Sequence, residues 1–338
     1  MMRVGIPKEI KIAERRVSLT PNAVRCLTSK NIRVNVESNA GKSASFTDEA
    51  YIAAGASILP TTKDLFQVSD LIVKVKEPQS SEYSLIGNDH TVFSFFHFEG
   101  SHELLAAMKK SGAKCLAFET VQTAHNTFPI LTPMSEIAGE EAILQGVHWL
   151  SCPIEDANIS IIGAGNAGIA AAKVAKQLGC KNVTLLDINE NRLTTLKNLG
   201  YQTMIANRQN LTEILCDTHL AIGAVYQPGK CAPKIISKEM LLCMPNNALF
   251  VDISIDQGGM TEVSTPTNAY EPLIRFHHVN LFCVDNIPGR VQFKASLRLS
   301  DAVISYVELL ALQGYDNAIN NSYELNKSAL HYKECLSR

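Results

Sequence analysis

Residues 159–175, Ile-Ser-Ile-Ile-Gly-Ala-Gly-Asn-Ala-Gly-Ile-Ala-Ala-Ala-Lys-Val-Ala, constrain this chain more than any other stretch. Ile159 to Ile162 read as a buried strand, Gly163, Gly165 and Gly168 fit G-x-G-x-x-G, and the alanine-rich continuation reads as a helix. Each glycine has a mechanical reason: a tight turn, backbone approach to a phosphate, and close helix–strand packing. The helix start, at Asn166 and Ala167, offers N–H groups and the positive dipole end to a pyrophosphate. A second strand, Asn182-Val-Thr-Leu-Leu-Asp187, ends in an acid at the spacing of a carboxylate that binds adenosine ribose hydroxyls. The plainer alternative is a tight turn with no ligand, but strand, triplet, helix and acid together predict a dinucleotide site. Asp187 predicts NAD over NADP, because a 2′-phosphate would meet like charge.

At 338 residues, 46% of them hydrophobic, the chain suits two domains of roughly 100 to 200 residues each. A formal charge of −2 gives no pull toward nucleic acid or an acidic membrane surface, so a small soluble ligand is expected. Nine cysteines without C-x-x-C spacing read as buried thiols in a reducing compartment. Met1-Met-Arg-Val-Gly-Ile runs directly into a strand, and no apolar run reaches the roughly 18 residues of a membrane span. These features predict a cytoplasmic protein.

Strands are expected at Arg3–Ile6, Ile32–Glu37, Leu71–Lys76, Thr91–Phe96 and Cys115–Phe118, with helices beginning at Thr20-Pro21, Thr47 and Ser101. This alternation predicts a doubly wound α/β region over residues 1–128. Pro129 to Pro133 reads as a linker and Ser135 to Leu150 as a connecting helix. The dinucleotide domain, residues 134–290, continues with strands at Gln202–Ala206, Leu220–Ile222, Ala248–Ile253 and Leu281–Val284. From about Ala295, apolar residues at helical spacing predict a long helix that returns to the first domain, which then comprises 1–128 plus 295–338. The fold class expected is α/β: two Rossmann-like domains with a cleft between them.

Open α/β sheets place active sites beyond the carboxyl ends of their strands. Lys76 and His97 end predicted strands, Arg16 lies in the first loop, and Asp256 follows the strand ending at Ile253. Each has a plainer reading as a solvated cation, a satisfied histidine or a turn cap. Together they suit hydride transfer to or from a small acid: Arg binds carboxylates, Lys polarises a carbonyl or imine, and His moves protons near neutral pH. The nine histidines include no H-E-x-x-H, so no catalytic metal is expected.

Several segments closely resemble alanine dehydrogenase, a family that shares its fold with the NAD-binding subunit of proton-translocating transhydrogenase. They are Arg3-Val-Gly-Ile-Pro-Lys-Glu-Ile-Lys, Glu14-Arg-Arg-Val-Ser-Leu-Thr-Pro21, Lys74-Val-Lys-Glu-Pro78, Phe118-Glu-Thr-Val-Gln122, Pro133-Met-Ser-Glu-Ile-Ala-Gly139 and Val251-Asp-Ile-Ser-Ile-Asp-Gln-Gly-Gly259. The resemblance implies that Arg16 and Lys76 hold the substrate carboxylate and carbonyl, with His97 as acid/base and Asp256 beside it in proton handling. It also implies that Ser135 contacts the cofactor phosphates, Asp187 the ribose and Arg192 the adenosine, with Val225 and Asn286 flanking the nicotinamide. The implied reaction converts L-alanine, NAD⁺ and water to pyruvate, ammonium and NADH, in a homo-oligomer, hexamer or dimer. Three departures stand out: a short Ser151–Ala157 connection without the family's glycines, a Pro288-Gly-Arg290 closer to the transhydrogenase subunit, and Glu99 in place of a small apolar residue. They leave open a related amino-acid or opine-type reductase and a non-catalytic NAD(H)-binding module.

Overall fold

The computed structural model describes residues 1–226, 231–268 and 270–337. The chain divides into two compact units, residues 1–134 with 289–338, and residues 135–288.

The first unit alternates β1 (Val4–Ile6), α1 (Pro21–Thr28), β2 (Val34–Glu37), α2 (Asp48–Ala53), β3 (Ser57–Leu59), α3 (Thr62–Val68), β4 (Leu71–Val73), β5 (Thr91–Ser94), α4 (His102–Ser111) and β6 (Lys114–Ala117). Its six strands are all parallel, in the order β3-β2-β1-β4-β5-β6. β1, β4 and β5 are buried along their whole length, which is why they read as short apolar runs without alternation. The order reverses between β1 and β4, and the ends of those two strands form the topological switch point where ligands of such sheets bind.

The connecting helix α5 (Leu131–Val147) starts inside the segment expected to be a linker. Pro133 falls at its third residue, where a missing N–H costs no intrahelical bond. The second unit runs β7 (Asn158–Ile162), α6 (Asn166–Gln177), β8 (Asn182–Asp187), α7 (Glu190–Asn198), β9 (Gln202–Ile205), α8 (Arg208–Leu215), β10 (Leu220–Gly223), α9 (Lys238–Cys243), β11 (Leu249–Asp252), β12 (Leu273–Phe276) and β13 (Val279–Phe282). The sheet order is β12-β13-β11-β10-β7-β8-β9, parallel except for β12, and the reversal falls between β7 and β10. Asn189, Asn207 and Ser237 each cap a helix by accepting a backbone N–H from three residues on.

The chain then returns to the first unit as α10 (Gln292–Asn321), broken at Gly314 (φ 76°), and α11 (Tyr323–Ser337). Ser296 and Ser300 of α10 accept the N–H groups of Val17 and Thr20 at 3.0 Å, and Ser328 of α11 accepts that of Ala117 at 2.7 Å. Thr20 therefore does not cap α1 as its sequence position suggests: its hydroxyl is turned to Ser300, 3.2 Å away. The short β3 and α3, the antiparallel β12 and the separate α11 are elements the sequence reading did not separate. Four cysteines expected to be buried, Cys26, Cys216, Cys231 and Cys243, are exposed, because they lie at helix ends and in loops outside the two cores. No helix among the described residues is long and apolar enough to cross a membrane.

Candidate functional site

The first unit gathers charge at the carboxyl edge of its sheet. Arg16 lies in the loop after β1, and Ser18 fastens that loop to the end of β4 through a 2.7 Å bond to the Val73 carbonyl. Arg16 is not a solvated loop cation: it is 3% exposed, with Nε and Nη2 donating to the two oxygens of Glu14 at 2.7 and 2.6 Å. Burial resists ionisation of Glu14, but Arg16 and then Lys76 outweigh it and hold the carboxyl down at about 2. Opposite charges this close favour the ionised forms. Lys76 is thereby placed within electrostatic reach of the Arg16–Glu14 pair.

Strand β4 stops at Val73, three residues short of the expected Lys76, and Lys74 just beyond it enters a buried ion network. Lys74 Nζ bonds Glu82 Oε1 at 2.8 Å and stands 3.7 Å from Glu9 Oε2. Burial pulls the Lys74 pKa down, and Glu9 and Glu82 reverse that effect so that it lies above the usual value. Glu9 is pushed up to about 7, chiefly by burial against the opposing effect of Lys74, while its Oε1 accepts the Val75 N–H at 2.6 Å. That bond fixes the Lys74–Lys76 segment beyond the strand end.

β5 likewise ends at Ser94, and His97 follows in a left-handed conformation (φ 49°, ψ 50°) that opens a 3-10 turn, Phe98–Gly100. Its N–H donates to Glu119 Oε1 at 2.6 Å, and its half-exposed ring stacks on Phe95. Glu99 lies in this turn, but its side chain falls outside the described residues. Arg16, Lys76 and His97 thus come from the loops after β1, β4 and β5, neighbouring strands of one sheet edge. Glu9, Lys74, Glu82 and Glu119 received no role from the sequence. The paired spacing of Lys74-Val-Lys76 and the acid just past β6 were the signals available for them.

In the second unit the glycine turn joins β7 to α6. Gly163 takes φ 105°, and a Cβ on it would lie 2.4 Å from the Ala224 carbonyl oxygen. A Cβ on Gly168 would lie 1.9 Å from the Gly163 carbonyl oxygen, so this position fixes how closely α6 approaches the strand. Among the described residues a Cβ on Gly165 would meet nothing within 4 Å, the open approach a pyrophosphate needs. The first turn of α6, with Asn166 and Ala167, carries no acid to oppose an anion. These features fit a bound dinucleotide.

Asp187 ends β8 and is 8% exposed. Its Oδ2 accepts from Ala164 N at 2.9 Å and from Arg192 Nη1 at 3.0 Å, and its Oδ1 accepts from Asn189 N at 2.9 Å. Arg192 is therefore joined to the acid expected to meet the ribose. Ser135 lies on α5 one turn before Gly139, on the same helical face, and a Cβ on Gly139 would lie 1.9 Å from the Ala167 carbonyl oxygen. Close packing thus brings the Ser135 face of α5 to the start of α6.

Val225 follows β10, and its carbonyl accepts Ser254 Oγ at 2.8 Å. Asp256 lies in the 3-10 turn Ile253–Gln257 and accepts the N–H of Asn286 at 3.0 Å, which joins those two candidates. Buried Asp252 clamps this turn, accepting Ser254 N, Met260 N and Ser264 Oγ, and burial raises its pKa.

Both halves of the chain match models of one family. The family model described as alanine dehydrogenase/PNT, N-terminal domain matches residues 5–138, and its C-terminal counterpart matches residues 136–336. An alanine dehydrogenase from Methanococcus maripaludis is 36% identical over 335 residues, covering 94% of this chain and 90% of that protein. A solved L-alanine dehydrogenase superposes with a TM-score of 0.92 at 32% identity, covering 99% of this chain and 100% of that one. A transhydrogenase structure from Sinorhizobium meliloti gives 0.82 at 25% identity, covering 91% and 94%. With both domains matched along nearly the whole length, this chain belongs to the alanine dehydrogenase/PNT family.

Proposed function

We propose that this protein is an NAD-dependent amino-acid dehydrogenase that converts L-alanine, NAD⁺ and water to pyruvate, ammonium, NADH and a proton, reversibly. The observation that carries the reading is Arg16, Lys76 and His97 on one sheet edge of a chain that matches alanine dehydrogenases end to end. Arg16 and Lys76 bind the substrate carboxylate and carbonyl, as their fixed charges beside Glu14 suit. NAD⁺, when bound, supplies the hydride acceptor. His97 takes a proton from the water that adds to the substrate imine and returns one in the reverse direction, with Asp256 assisting proton transfer. On the cofactor side, Ser135 and the Gly163–Gly168 turn with Asn166 and Ala167 hold the pyrophosphate, and Asp187 and Arg192 the adenosine ribose. Val225 and Asn286 border the nicotinamide. The reading places a homo-oligomer, dimer or hexamer, in the cytoplasm, where nine cysteines stay reduced.

The test is NADH formation from L-alanine and its consumption with pyruvate plus ammonium, run against a panel of amino and keto acids. Glu99 beside His97 in sequence favours including amino acids with cationic side chains. Absence of turnover with every member would remove the reading. His97→Ala is expected to lose at least about a hundredfold in kcat while binding NADH normally.

A further inference from the structure

His97 occupies left-handed backbone space that strains a non-glycine residue. One carboxylate holds it there. Glu119 Oε1 accepts the His97 N–H at 2.6 Å, and both its oxygens lie 3.3 Å from the N–H of Phe96. The same Oε1 stands 3.8 Å from His97 Nδ1. That separation exceeds a hydrogen bond and keeps the carboxylate beside the ring.

The surroundings make this a built arrangement. Glu119 is 7% exposed, whereas the imidazole is half exposed, so the carboxylate backs the ring from the protein side. Phe95 stacks parallel to the imidazole at 6.0 Å and packs edge-on against Phe118, the residue before Glu119. Glu119 is itself placed by the C-terminal helix. Ser328 of α11 accepts the Ala117 N–H, donates to the Ala117 carbonyl at 3.0 Å and lies 3.0 Å from the Thr120 hydroxyl, bracketing the turn that carries Glu119.

We propose that Glu119 is the positioning residue for His97: it pins the left-handed backbone and balances the imidazolium formed when His97 takes up a proton. The inference rests on the acid/base role proposed for His97. The carboxylate supplies both functions from one side of the ring and leaves Nε2 on the other side for the reacting water. This is the arrangement of a base oriented by a buried acid.

Glu119→Gln separates the two functions, because the amide oxygen still accepts the His97 N–H but carries no charge. In the alanine assay its kcat falls about tenfold or more, while KM for alanine and the NADH dissociation constant stay within about threefold. Wild-type kcat in this variant overturns the proposal, and so does an equal loss of kcat and NADH affinity, the mark of general damage. A second readout does not depend on turnover. Diethyl pyrocarbonate attacks an accessible ring nitrogen, so its rate at His97, followed on that peptide by mass spectrometry, reports how the ring is held; it is expected to change at least about threefold in Glu119→Ala, which frees the His97 N–H, and to stay close to wild type in Glu119→Gln, which still accepts it. Equal rates in wild type and Glu119→Ala overturn the proposal. Where the Ala variant does not fold, a severalfold change in Glu119→Gln overturns it too. If wild type turns over nothing, the reaction reading fails, and the modification rates still decide the role of Glu119.

Discussion

Arg16 shows how far one residue's burial can depart from what its neighbourhood in sequence suggests, even with its ion-pair partner two residues away. It lies in a loop of charged residues, yet it is buried with its planar donor fork filled on one side by Glu14. Glu9 is the opposite case, an acid whose burial is only partly offset. Its folded value of about 7 lies above its ordinary value of 4.5, so the folded state binds the proton more tightly than the unfolded state does. The sign follows: Glu9 costs no stability below about 4.5, costs progressively more as pH rises toward 7, and costs the full amount above it. Glu9→Gln, which keeps an acceptor for the Val75 N–H, is therefore expected to gain on wild type by on the order of 2 kcal/mol between pH 5 and pH 8. Denaturant midpoints at the two pH values measure this. Parallel curves for the two proteins would show that Glu9 ionises without penalty.

The β7–turn–α6 element separates folding from binding within a single motif. Gly168 is required by packing, since its Cβ would overlap a carbonyl at 1.9 Å, whereas Gly165 faces open space at an ordinary φ of −80°. Gly168→Ala is expected to cost about 1–3 kcal/mol and to weaken NADH binding as the turn shifts. Gly165→Ala is expected to leave the melting temperature unchanged and to weaken NADH binding about tenfold, by occupying the pyrophosphate approach. Calorimetry and a fluorescence titration on both variants check the contrast. A Gly165→Ala protein that binds NADH like wild type would move the phosphate site elsewhere. The same logic explains Gly139 on α5, where a side chain would strike the Ala167 carbonyl.

On the scale of the molecule, one unit is continuous in sequence and the other is not. Residues 135–288 hold a whole seven-stranded sheet, while residues 1–134 need 289–338 to complete them. Without the last segment, the N–H groups of Val17, Thr20 and Ala117 lose their serine acceptors, and that of Met2 loses the Ala311 carbonyl. Each such orphaned group costs about 1–3 kcal/mol. A fragment of residues 135–288 is expected to unfold cooperatively and bind NADH, and a fragment of residues 1–134 to show no cooperative transition until residues 289–338 are added. Thermal unfolding followed by circular dichroism tests this. Cooperative unfolding of residues 1–134 alone would show that the serine anchors are dispensable.

The sequence by itself determined the two alternating α/β patterns, the glycine turn, Asp187 and the positions of Arg16, Lys76 and His97, because these depend on local order: apolar runs, turn residues and motif spacing. It misjudged where β4 and β5 stop, and it gave no sign that Lys74 meets Glu9 or that His97 meets Glu119, acids brought near by the sheet and not by the chain. It also gave Thr20 a capping role that Ser300, 280 residues away, takes from it. Only the tertiary structure decided that Glu9 joins Lys74 and that the Arg16–Glu14 pair is buried, since burial and long-range charge pairing depend on distance in space. A linear sequence records spacing along the chain and carries no measure of that distance.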